Sequence, residues 1–137
     1  MGLAEKKAIH DFQTTQWPAM LQRMQTAAGY NLEVVPLWDT LVPHEKNVAK
    51  YAYYFEQFFV LPIENCFKEF AKDSFTKSAV SNGIKKITLS NTKNNYYTTD
   101  WATVTLPEVN LEWDLWTNVD RLEERTTTLK TAIEKSL

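Results

Sequence analysis

The chain predicts an α+β domain: an antiparallel sheet of about four strands with helices packed on one face, in the order α-β-α-α-β-β-β-α. Three observations carry this reading. Apolar residues recur every three or four positions as far as Gly83, then alternate with polar ones, which is the change from helix to strand. The last segment returns to helical spacing. Finally, 137 residues with 44% hydrophobic and 23% charged content suit one globular core, so residues 1–137 are read as one domain.

Residues 3–28 read as helix, with Leu3, Ile9 and Phe12 on an apolar stripe that Trp17, Met20, Leu21, Met24 and Ala28 continue. Pro18 lacks a donor and disfavours helical geometry at Trp17, which predicts a kink or two helices with Pro18 at the start of the second. Gly29 ends the run as a left-handed cap. The segment NLEVVPLW (31–38) is β-rich, and its Pro36 confines it to a sheet edge or ends it there. Pro43 opens a helical stretch with Val48, Tyr51, Ala52, Phe55, Phe58 and Phe59 on one face. Pro62 fits the first turn of a further helix carrying Ile63, Cys66, Phe67 and Phe70. Asp73 or Ser74 caps a short helix with Phe75, Ala79 and Val80, closed by Asn82 and Gly83.

The strands follow. IKKITLS sets Ile87 and Leu89 against Lys86, Thr88 and Ser90, and the Asn-rich NTKNN makes a turn. Two more strands, at about 96–106 and 109–116, meet at Pro107 and Glu108. If Leu106 and Val109 flank that turn, Val104 faces Leu111 and Ala102 faces Trp113 on the core side. Trp101, Thr103 and Thr105 then share the opposite face with Asn110, Glu112, Asp114 and Trp116. Asp120 and Glu123 have the spacing of a capping box before a last helix with Leu122, Thr126, Leu129, Ile133 and Leu137 in register.

Function is constrained chiefly by what the residues lack. A net charge of −2 with no polybasic run gives no pull toward nucleic acid or an anionic membrane. Lys85, Lys86 and Lys93 lie near Tyr96 and Tyr97, but the RNA-binding sheet signature is absent and Glu112 and Asp114 fall on the candidate face. The start, MGLAEKKAIHDF, lacks the apolar run of about 7–15 residues of a signal peptide, and Lys6 stands where a myristoylation motif wants Ser or Thr. No run of about 20 apolar residues could span a bilayer. One cysteine cannot form an intrachain disulfide, and the expectation is a cytoplasmic protein.

Neither His10 nor His44 has metal-ligand spacing, and Asp39, His44 and Glu45 are the nearest thing to a cluster. Cys66 lies on an apolar stripe, where a thiol is a small hydrophobe. Three glycines exclude the phosphate-cradling and nucleophile-elbow motifs. No metal, cofactor or motif-defined catalysis is expected. The residues single out an aromatic second face on the hairpin. Either Trp116 caps the sheet edge while Trp101 tucks under a loop or the first helix, or the two form a contact surface. In the second case Trp101, Trp116, Thr103 and Glu112 bind another protein or a second copy, most simply as an isologous homodimer; a ligand-stacking platform is a further use of the same face. The alternative is a small-molecule-binding domain with an apolar pocket between helices and sheet.

Overall fold

The long N-terminal stripe divides at Pro18, as its chemistry requires. In the computed structural model, which describes residues 2–114 and 119–137, helix α1 spans Leu3–Thr15 and α2 spans Trp17–Ala28. Pro18 falls in the first turn of α2, where a missing donor costs nothing, and Gly29 closes the helix at φ 76°. Strand β1, Glu33–Pro36, follows.

A nearly unbroken helical rod comes next: a 3₁₀ segment Glu45–Lys50, α3 at Tyr51–Phe55, a π-helical turn at Glu56–Val60 and α4 at Leu61–Phe70. Pro62 therefore does not begin a separate helix. It cannot donate to the carbonyl one turn back, and the wide turn sits in the residues just before it. Helix α5, Ser74–Gly83, is capped by Asp73, whose Oδ2 accepts from the Thr76 N–H at 2.9 Å and the Thr76 hydroxyl at 2.7 Å.

Strands β2 (Lys86–Ser90), β3 (Ala102–Thr105) and β4 (Glu108–Glu112) complete a four-stranded sheet of order β1-β2-β4-β3. The sheet is mixed, which corrects the expected antiparallel meander: β1 runs parallel to β2, and β2 parallel to β4. Two connections explain this. Helices fill the crossover from β1 to β2, as a parallel pair needs. Residues 91–101 then carry the chain past the end of β4, so β3 lands on its far side and returns antiparallel. Helix α6 spans Leu122–Ser136 with Arg121 in the cap position and no side-chain cap, so the expected Asp120–Glu123 box does not form.

The core lies between one sheet face and the helices. Val34, Ile87, Leu89, Val109 and Leu111 are buried on that face, under Phe58, Phe59, Ile63 and Phe67 of the rod and Leu129 and Ile133 of α6. Helix α6 packs on α4 and β3, and α4 packs on α2. The opposite face presents Lys86, Thr88, Asn110, Thr103, Thr105 and Glu108, none of them buried. Among the described residues, no helix is long and apolar enough to cross a membrane.

Candidate interaction surface

The hairpin keeps the faces the sequence assigns but not the pairing. Ala102 pairs with Leu111, Thr103 with Asn110, Val104 with Val109 and Thr105 with Glu108, a register two residues tighter than expected. Because the slip is even, every strand side chain stays on its face. Trp101 is the exception. It precedes β3 and has helical backbone angles (φ −83°, ψ −24°) after the 3₁₀ turn Thr98–Asp100. Alternation therefore does not extend to it. Its indole turns inward, 0% exposed, and meets Trp113 edge to face at 6.3 Å. The expectation of a solvent-facing Trp101 is corrected. Its Nε1–H has no partner among the described residues.

Glu112 is also placed differently from expectation: it lies on the outer face of β4 but is only 5% exposed, beneath residues 91–101 as they cross the strand end. Its carboxylate accepts from the Ser90 hydroxyl (2.6 Å), the Thr92 N–H (2.8 Å) and hydroxyl (2.7 Å), and the Lys93 N–H (3.3 Å). Burial pushes its pKa up, but these hydrogen bonds outweigh it and hold the group below the ordinary glutamate value. Thr103 is exposed, as expected. Trp116 lies outside the described residues.

The crossing segment is thereby pinned along its length. The Asn91 N–H donates to Thr40 Oγ1 at 3.1 Å, the Asp114 N–H to the Asn95 carbonyl at 2.8 Å, and the Asn95 side-chain amide to the Asp100 carbonyl at 2.9 Å. Asn94 takes the left-handed turn at φ 51°, and the Thr98 hydroxyl donates to Glu124 of α6 at 3.2 Å. Between these anchors stand Tyr96 and Tyr97, 48% and 60% exposed, with ring centroids 4.5 Å apart. The exposed aromatics of this stretch are the tyrosines.

Comparison with protein-family models, with curated proteins and with solved structures finds no match for this chain. The geometry alone speaks to function.

The other groups flagged in the sequence do not converge. His10 and His44 are exposed, and among the described residues no three His, Cys, Asp or Glu side chains gather as metal ligands do. Cys66 is buried, and burial pushes its thiol pKa up, away from nucleophilic reactivity. Arg125, which the sequence reading passed over, is fully buried on α6. Its guanidinium lies 4.9 Å from the Phe58 ring centre and 5.3 Å from that of Trp113, and donates to the carbonyls of Gln57 (3.2 Å) and Val119 (3.1 Å). Desolvation lowers its pKa to about 10 against the opposing charges of Asp120 and Glu124. The signal was present: Leu122, Arg125, Leu129 and Ile133 share one helical stripe.

The helical aromatics close on one another instead of lining a void: Phe55 has ring contacts with Phe12, Trp17, Trp38, Tyr51 and Phe59. A cavity of about 710 Å³ lies elsewhere, as an open groove between α2 and α4. Ala19, Thr26, Ala27 and Ala71 floor it. Arg23 spans it, bonded to Glu56 at 2.6 Å and Glu64 at 2.9 Å.

Proposed function

We propose that this protein is a non-catalytic interaction module, binding another protein or a second copy of itself through the side of the molecule that carries Tyr96 and Tyr97. One observation carries the reading: two adjacent exposed tyrosines stand on a segment anchored on either side of them, by the backbone N–H groups of Asn91 and Thr92 to Thr40 and Glu112 and by the Thr98 hydroxyl to Glu124. A tyrosine buries much area with few rotors, and a fixed backbone spares the ordering entropy a floppy loop would lose on binding.

The test compares wild type with Tyr96→Ser/Tyr97→Ser, both shown by circular dichroism to be equally folded. Mass in solution is followed over a concentration series, and co-purifying proteins from the source cells are identified for each. Assemblies present in wild type and lost from the double variant are the expected result. Identical assemblies for both, or none for either, would overturn the reading.

The α2–α4 groove favours a second use, binding of a small amphiphile, since its volume falls in the range of real ligand sites. An anionic fluorophore with an apolar ring system should bind wild type and lose affinity in Thr26→Phe, which fills the groove. Equal binding to both rules the groove out.

A further inference from the structure

The two edges of the sheet differ. In β1 the N–H groups of Glu33 and Leu37 donate inward to Lys85 and Leu89, so Val34 and Pro36 have their backbone groups turned outward. Pro36 has no donor to offer there. That edge is blunted by one of the devices that keep sheets from pairing.

At the other edge, the Glu112 N–H donates to the Trp101 carbonyl at 2.7 Å, which makes Thr103 and Thr105 the residues that bond to β4. The N–H and C=O of Ala102 and Val104 therefore point away from the sheet, and among the described residues they have no hydrogen-bond partner. This edge strand is short, Ala102–Thr105, and α6 packs against it, but among the described residues it lacks the chemical protections. Residues 101–106 contain no charge and no proline, and β3 pairs with β4 without a bulge.

We propose that the β3 edge pairs with the same edge of a second copy of this chain, antiparallel about a two-fold axis through Thr103. This inference rests on the reading of the protein as an interaction module and names its partner. The register follows from the free groups. With Ala102 facing Val104 of the second copy, and Val104 facing Ala102, all the outward N–H and C=O groups of both residues bond reciprocally within the strand. Thr103 then stands opposite Thr103 in a non-hydrogen-bonded pair, where side chains approach closely and threonines are well matched. Self-pairing puts no like charges in opposition, because the edge carries none. Tyr96 and Tyr97 lie on the segment that leads into the same strand.

Two variants test the pairing without touching the internal ladder. Val104→Pro removes an N–H that bonds to nothing within the monomer. Thr103→Lys keeps every backbone group but sets two lysines face to face at the axis, from a side chain already in solvent. Sedimentation velocity over a concentration series should show wild type approaching twice the monomer mass, with dissociation constants raised about tenfold or more in each variant. In wild type the Ala102 and Val104 amides should gain exchange protection, read by NMR, as concentration rises. If Val104→Pro loses its fold, Thr103→Lys decides. A monomer at every concentration overturns the pairing, as does a dimer in which those two amides stay unprotected. A dimer unaffected by Thr103→Lys also overturns it but leaves self-association standing through another surface. The interaction reading fails separately, when nothing responds to loss of the tyrosines.

Discussion

Trp101 illustrates how far a single residue can be read from its neighbours. Alternation correctly sorts Ala102, Thr103, Val104 and Thr105 onto two faces, because each is in extended backbone. One residue earlier the chain is turning, and a helical ψ sends the indole into the core. Nothing in period-two arithmetic marks where the strand begins. Trp101→Ala should accordingly cost about 3–5 kcal/mol in denaturant unfolding, the range for emptying a large aromatic site. A cost under about 1 kcal/mol would place the indole at the surface. Glu112 lies on the face that alternation gives it, but its burial there is not legible locally, since the chain crossing above β4 is a tertiary fact. With its pKa depressed in the folded state, it stabilises the protein above the unfolded glutamate value and loses that contribution as pH falls through the folded one. Stability against pH should therefore decline on acidification below about pH 4.5, the ordinary glutamate range. Glu112→Gln should reduce that slope, and at pH 7 it should be less stable by about 1–3 kcal/mol, the cost of weakening a buried charged acceptor.

Among the elements, helices with a clean stripe and a polar start were legible, and those governed by remote partners were not. Asp73 caps α5 with the local geometry its sequence suggests, and Asp73→Ala should lower stability by about 1 kcal/mol in thermal or chemical unfolding. Leu129 of α6 is buried as its spacing predicts, so Leu129→Ala should cost about 2–5 kcal/mol. A fully exposed site would show almost none of that. The π-helical turn was not legible, because its cause is divided between a proline and a distant side chain. Pro62 disturbs the hydrogen-bond ladder, and the Gln57 carbonyl within the turn accepts from Arg125 across the core. Strand direction was missed for a similar reason. Residues 91–101 pass a strand instead of turning back beside it, and local composition says only that the segment bends.

For the molecule as a whole, the α+β class and the clustering of helices on one sheet face followed from the change of period at Gly83. The assignment of the exposed aromatic surface did not, since it turned on which of four aromatics between Tyr96 and Trp113 the tertiary fold would bury. If the β3 edges pair, folding and association are linked. The unfolding temperature of wild type should then rise with protein concentration, by mass action, while that of Thr103→Lys stays constant. A temperature independent of concentration in wild type would mean that the native unit is the monomer.

Pro36 also sets how large such an assembly can grow. A chain with two receptive edges adds copies without limit, since every addition leaves another edge to fill, and the product is a fibre. With the outward donor at Pro36 missing from β1, that edge is blunted, so pairing at β3 uses the more receptive edge on each copy and growth stops at two. Restoring that donor with Pro36→Val should remove the stop. Such a variant is expected to form larger, concentration-dependent species visible by light scattering, which adding Thr103→Lys reduces to discrete pairs or single chains.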